Sequence, residues 1–183
     1  FYTGLRNPQE LAFDQYGRLF TCDNNSDSED RARVVYVMEG GETGWDMAYQ
    51  TLEGDNERGP WVQEGLWKTD HEGRPAWALP PLSYIGSGPS GLTFVSGVGV
   101  PDQYKNHFLM CDFLGTPTHS SVLAFAIQPK GAGFEVVDLH PMIQGVLCTD
   151  VDMGWDGAIY ISDWVEGWGS TQTGRVWRVT HAD

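Results

Sequence analysis

Residues 11–23, LAFDQYGRLFTCD, lie over residues 151–163, VDMGWDGAIYISD, without a gap. This repeat constrains the fold more than any other feature of the chain. Leu11 falls on Val151, Phe13 on Met153, Gly17 on Gly157, Leu19 on Ile159 and Asp23 on Asp163. A third copy reads GLTF (91–94) and HFLMCD (107–112), with an insertion at the hairpin between its halves. Each unit reads as a period-two strand, a tight turn and a second strand ending in Asp. A further strand follows each: ARVVYVM (32–38), SVLAFAI (121–127) and GRVWRV (174–179), and the middle unit adds GFEVVDL (133–139). Sets of short strands recurring roughly every 50 residues predict an all-β chain, a β-propeller with about three four-stranded blades visible. Known propellers close with about four to eight blades. Three leave two raw flanks, to be covered by more chain or by association of copies.

The spacing places the boundaries. Asp23 and Asp112 stand about 40 residues further apart than Asp112 and Asp163. The expected division is blade one at 1–40, a Trp/Gly/Pro-rich insertion at 41–84, blade two at 85–141 and blade three at 142–183, all one partial propeller domain. Long loops in compact domains are functional or disordered, and Trp45, Trp61, Trp67, Trp77 and Tyr84 argue against disorder. With 13% aromatics, 23 glycines and 10 prolines, short strands and turns are favoured over long helices.

Charge narrows the partners. Lys and Arg number 11 against 25 Asp and Glu, a formal net charge of −14, which repels phosphate backbones and excludes nucleic acid. Such a surface suits an extracytoplasmic protein, periplasmic or secreted, or a binder of cations, and it also serves plain solubility. No apolar run reaches the roughly 18 residues of a membrane span. The chain begins at Phe1 with no signal peptide ahead of it and reads as a processed product or a piece of something longer. Cys22, Cys111 and Cys148 form no Cys-x-x-Cys, and Cys22 and Cys111 occupy one repeat position inside strands, so buried free thiols are expected ahead of a disulfide or metal site.

The turns carry a family resemblance. GLRNPQELAFDQYGRLF (4–20) and NNSDSEDRARVVYVMEGGETGW (24–45) are similar to the soluble quinoprotein glucose and aldose-sugar dehydrogenases. That family has a Gly-x-Arg-Asn-Pro-Gln turn before a strand, an Asn-Ser-Asp acidic turn and a Gly-Gly-x-x-Gly-Trp motif one strand later. GPSGLTF (88–94), DMGWDGAIYISDW (152–164) and GRVWRV (174–179) resemble its later blades. The likeness covers nearly the whole chain and implies the C-terminal half of a six-bladed propeller. GVLCTDVDMGWDGAIYISDWVEGWG (145–169) resembles still more the dehydrogenase-like propeller modules of large secreted proteins from planctomycete-type bacteria, which are joined to helical repeats and a cytochrome c segment. No Cys-x-x-Cys-His occurs here, so a cytochrome c electron acceptor would lie outside this chain.

The resemblance implies a site. Arg6 and Asn7 would lie over the cofactor pyrroloquinoline quinone (PQQ), where a permanently charged guanidinium stabilises negative charge developing on the quinone as a sugar hydroxyl is oxidised. Asn7 would orient cofactor or substrate. Calcium takes about six to eight oxygens, and the turn from Asp23 through Asn24, Asn25 and Asp27 is rich in them; the family holds its calcium through backbone carbonyls near Asp23 and Asn24. Trp45, Trp61 and Trp67 are candidates for stacking on a carbohydrate or alcohol substrate. Each has a blander reading beside it. Arg6 pairs with an acidic neighbour to fix the strand, the 23–30 turn is an Asx-rich cap, and Gly40, Gly41 and Gly44 pack the Trp45 indole. Asp23, Asp112 and Asp163 recur at one position, which points to structure: hydrogen bonds to the next turn's amides. The histidines at 71, 107, 119, 140 and 181 have no ligand spacing and read as lone surface residues. No nucleophile elbow, zincin motif or phosphate loop is present.

Two departures from the family matter. Its catalytic base is a histidine on an earlier blade, which this chain does not contain. Its cofactor-gripping arginines before the last Asp-Gly turn are replaced by Leu147, Cys148, Thr149 and Asp150, so no cation is offered to the cofactor's carboxylates. The leading expectation is a PQQ- and calcium-dependent sugar or alcohol dehydrogenase-like propeller. The alternative is a non-catalytic propeller binding glycan or a partner protein.

Overall fold

The computed structural model describes residues 1–25, 31–45, 77–169 and 172–181. In chain order its strands are β1 (Tyr2–Thr3), β2 (Pro8–Phe13), β3 (Leu19–Asp23), β4 (Arg33–Val37), β5 (Gly41–Glu42), β6 (Ser83–Tyr84), β7 (Pro89–Val95), β8 (His107–Asp112), β9 (Ser121–Lys130), β10 (Gly133–Gln144), β11 (Cys148–Met153), β12 (Ile159–Asp163) and β13 (Arg175–Val179). They form four-stranded sheets ordered β2-β3-β4-β6 and β7-β8-β9-β10, a three-stranded sheet β11-β12-β13, and a small parallel pair β1-β5. The three larger sheets are antiparallel meanders, with β2, β7 and β11 as their first strands. Among the described residues the only helical pieces are 3-10 turns at Asp102–Tyr104 and Gly167–Gly169, and no helix is long and apolar enough to cross a membrane.

The hairpins follow from local chemistry. In blade one the Asp14 carboxylate accepts the amides of Tyr16 and Arg18 at 2.9 Å each, and Gly17 takes φ +74°. Gly157 takes φ +77° at the equivalent corner of blade three. A side chain is disfavoured in that left-handed region, which is why glycine recurs there. The first strand of every unit also breaks register at one place, between Pro8 and Leu11, Pro89 and Leu92, and Cys148 and Asp150. A bulge kept at one position in three blades re-aims the side chains beside it.

One element differs from the sequence reading. The fourth strand of blade one is Ser83–Tyr84, the far end of the stretch read as an insertion. Two paired residues carry no period from which a strand can be recognised, and they are held by flanking bonds from the Leu82 amide to Val34 and the Ile85 amide to Ala32.

The core lies in the seams between blades, and β8 builds both. Phe108 and Met110 pack with Ala12, Phe20, Cys22 and Val34 of blade one. The intervening Leu109 and Cys111 pack with Val151, Ile159 and Ile161 of blade three. All six residues of β8 are buried, as expected of a strand covered on both faces. Phe108 stacks on Phe125 at 5.5 Å and meets Phe20 edge-on at 5.3 Å; such pairs add about 0.5–1.5 kcal/mol beyond burial. The three cysteines are free and buried, as the sequence implied. On the free side of blade one the pattern changes. Leu92 and Val151 are 3% and 1% exposed, yet Leu11, at the same repeat position, is 55% exposed.

Candidate functional site

The aspartate that ends the second strand of each unit has the same task throughout. Asp23 Oδ1 accepts the amides of Arg6 at 3.0 Å and Asn7 at 2.7 Å. Asp112 Oδ1 accepts those of Ser87 at 2.8 Å and Gly88 at 2.9 Å. Asp163 Oδ1 accepts the amides of Leu147 at 3.2 Å and Val165 at 2.8 Å. The structural reading of these residues therefore holds, with one correction. The clamped amides belong chiefly to the turn leading into the first strand of the same unit, because the meander brings that turn beside the end of the second strand.

In blade one this clamp builds the candidate site. Arg33 Nη2 meets Asp23 Oδ2 at 2.7 Å and its Nε lies 3.1 Å from the same oxygen. The same guanidinium donates to Gly4 O at 3.1 Å and Thr43 Oγ1 at 3.0 Å. Arg33 thus ties the 4–7 turn to β5 and neutralises a carboxylate that is only 1% exposed. The Trp45 amide donates to Gly4 O at 3.0 Å, and the Asn24 amide to Asn7 O at 3.4 Å. Arg6, Asn7, Asp23, Asn24 and Trp45 are therefore gathered around one turn. Asn25 follows Asn24 in the chain. Asp27, Trp61 and Trp67 fall outside the described residues.

Within the group, roles separate. The Asp23 carboxylate is fully engaged by two amides and Arg33, so its side chain is a clamp. Arg6 is half-buried, and its Nε is inaccessible to solvent with no hydrogen-bond partner among the described residues. Asn24 Oδ1 is buried and unpaired in the same sense. Asn7 Oδ1 accepts from Gln9 Nε2 at 2.7 Å. An unpaired buried donor on a guanidinium and an unpaired amide oxygen are groups that a ligand commonly satisfies. Arg6 fits an anionic oxygen, and Asn24 fits a cation or a hydroxyl. Among the described residues no group of three or more His, Cys, Asp or Glu is placed to hold a metal.

The equivalent turn of blade three does not fit an anionic cofactor. Leu147 and Cys148 are 0% exposed, Cys148 Sγ donates to Ser121 O at 3.3 Å, and the Thr149 hydroxyl is engaged with Ser162 Oγ at 2.8 Å. The remaining side chain, Asp150, is an acid. The turn at 147–150 thus offers no cation to a tricarboxylate such as PQQ.

Two further groups were not apparent in the sequence. Phe113 and Trp164 follow the clamping aspartates of blades two and three and stack at 5.9 Å, and Trp164 meets Trp168 edge-on at 4.7 Å. Trp168 is 74% exposed, so aromatic surface is present at the same end of the blades as Arg6. The second group corrects the reading of the histidines as lone surface residues. His107 is buried, with Nε2 at 3.1 Å from Asp138 Oδ2 and Nδ1 at 3.2 Å from Lys105 O. His140 Nδ1 lies 3.4 Å from Asp138 Oδ1. The bulge between Val137 and His140 brings these side chains together, and sequence spacing does not report it.

Three antiparallel blades with a guanidinium at the mouth of one first strand define a partial propeller with a polar site at one end of the blades. No family model matches the sequence, and neither does any curated protein. Solved structures do match in fold. A glucose dehydrogenase superposes with a TM-score of 0.68 and 19% identity, over 98% of this chain and 46% of its own. The soluble aldose sugar dehydrogenase of Escherichia coli in the apo-form gives 0.62 and 16%, over 97% of this chain and 46% of its own. The PQQ-bound form of aldose sugar dehydrogenase from Streptomyces coelicolor gives 0.60 and 18%, over 97% and 44%. The chain has the fold of these oxidoreductases and spans about half the length of each.

Proposed function

We propose that this chain is the C-terminal half of a six-bladed, dehydrogenase-like propeller that oxidises a carbohydrate or alcohol hydroxyl. The observation that carries this reading is Arg6. Its main chain is locked by Asp23, Asp23 is neutralised by Arg33, and the buried Arg6 Nε has no hydrogen-bond partner among the described residues. A guanidinium held in this way stabilises negative charge at a substrate or cofactor oxygen. Asn7 and Asn24 stand beside it to orient a hydroxyl or contribute to a cation, and calcium at the 23–30 turn belongs to the same proposal. PQQ, which is bound in the Streptomyces coelicolor neighbour, would be the two-electron acceptor here, with Arg6 as its contact on this chain. The composition of 147–150 does not fit its carboxylates, so they would need cations from outside that turn. The general base, the electron acceptor (a cytochrome c) and the remaining blades would come from outside the chain, in an extracytoplasmic setting. The test is dye-linked oxidation of aldoses with added PQQ and calcium, on the protein that carries this chain. Arg6→Ala should lower kcat/KM at least about 100-fold, the scale of losing one charge-stabilising donor. Equal rates for both proteins would refute the assignment.

A second reading is supported by the turn at 147–150, which offers no cation, and by the Phe113–Trp164–Trp168 surface: a non-catalytic module binding glycan. It expects sugar binding without oxidation, with affinity lost in Trp168→Ala and kept in Arg6→Ala.

A further inference from the structure

One repeat position behaves differently in each blade. At the shared register break, the first strands carry Glu10, Gly91 and Asp150 at equivalent places. The glycine of blade two leaves a gap between two acids. A Cβ on Gly91 would stand 2.7 Å from the Asp150 Cα and 2.8 Å from its Oδ1. Through that gap the carboxyl groups of blades one and three meet. Glu10 Oε2 accepts the Leu92 amide of blade two at 3.0 Å, beside Gly91, and on the other side of Gly91 stands Asp150, so the two carboxyl groups come within reach of each other. Two residues on, the Thr93 hydroxyl donates to Asp152 Oδ1 at 3.0 Å, a second tie between blades two and three.

Two carboxyl groups in such reach repel when both are ionised and attract only when one proton is shared between them, since ionised carboxylates are acceptors alone. The groups facing Glu10 supply no other source for it. From β7 come the Leu92 amide and the Thr93 hydroxyl, from β11 the acids Asp150 and Asp152, and from β3 the Thr21 hydroxyl, which is bound to the Glu10 carbonyl at 2.5 Å.

We propose that Glu10 and Asp150 form a proton-sharing latch that spans blade two and joins the first strands of all three blades, closed while the proton is held and loosened when it leaves. Burial, together with the neighbouring Asp150 and Asp152, pushes Glu10 up to about 7 against the opposing pull of the Leu92 amide. A carboxyl raised on folding stabilises most below its unfolded value, and that contribution falls as pH rises to the folded value. The latch is therefore closed in mildly acidic conditions and open above neutrality. This inference does not depend on the dehydrogenase reading, because it concerns the seams and not the Arg6 turn.

The test is thermal unfolding between about pH 5 and pH 8 on the whole protein that carries this chain. The parent should lose Tm progressively up to about pH 7 and then level off, and Glu10→Gln should flatten that component, because an amide donates to Asp150 at every pH. Where Glu10→Gln fails to fold, Asp150→Asn serves, with the same flattening expected. Carboxyl carbon NMR of the parent should show one glutamate titrating near neutrality, absent from Glu10→Gln and moved to lower pH in Asp150→Asn, where burial and Asp152 still act on it. An unchanged Tm profile in these variants, or no glutamate titrating near neutrality, would overturn the latch. So would a calcium-dependent gain in Tm at pH 8 that Glu10→Gln removes, which would make the pair a cation site.

Discussion

At the scale of single residues, Arg6 and Arg33 divide two tasks. Arg33 carries the charge that balances Asp23 and bonds the Gly4 and Thr43 oxygens, and Arg6 contributes its main chain to the clamp while its Nε has no partner among the described residues. Asp23→Ala should therefore cost about 3–5 kcal/mol in chemical denaturation, because it strands the buried Arg33 charge. Arg6→Ala keeps the clamped amide and should stay within about 0.5 kcal/mol of the parent, the usual range for changes outside such networks. The clamp was legible because Asp23, Asp112 and Asp163 repeat, and Arg6 because RNPQ does not. Arg33 was not legible. In ARVVYVM it reads as the polar end of an apolar strand, and only the paired position Asp23–Arg33 reveals its partner.

At the scale of elements, the first strands meet closely enough that a methyl group is felt. Gly91→Ala places a Cβ within 2.7 Å of the Asp150 backbone, and overpacking of this kind costs about 1–3 kcal/mol, measurable as a lower denaturation midpoint with unchanged slope. In blade three, burial alone would raise the Asp163 carboxyl. The Trp177 indole N–H, Arg175 and the Val165 amide outweigh burial and hold it below the usual range. A carboxyl lowered on folding stabilises above its unfolded value, and the contribution is lost as pH falls towards the folded one. As pH falls below about 4, the ordinary carboxylate value, the Tm of the parent should drop by more than that of Asp163→Asn. Hairpins such as 11–23 and 151–163 could be read from their period and their glycines. The two-residue strands β1, β5 and β6 could not, because they are specified by distant partners: β1 and β5 by each other, and β6 by β4.

At the scale of the whole molecule, equivalent residues act as an internal control. Leu92 and Val151 are buried by the preceding blade, and Leu11 in the same position is open, as is Phe13 at 62% exposure. If further blades complete the ring, the free side of β2 is a seam. Leu11→Asp should then destabilise the protein that carries this chain about as much as Leu92→Asp, and much less in residues 1–183 alone, where only Leu92 faces a neighbour. Equal, small effects of Leu11→Asp in both settings would mean that nothing covers this face. The propeller class was legible from the repeat, whereas the assignment of each side chain to one seam or the other required the register. That register has a further consequence in β8, where Phe108 and Met110 serve one seam and Leu109 and Cys111 the other. Loss or gain of a single residue inside this strand would exchange the two seams at once, so that each neighbour met side chains shaped for the other. Lineages of such a protein can change length only beyond the ends of the strand, and the extra residues of blade two lie in the hairpin between β7 and β8.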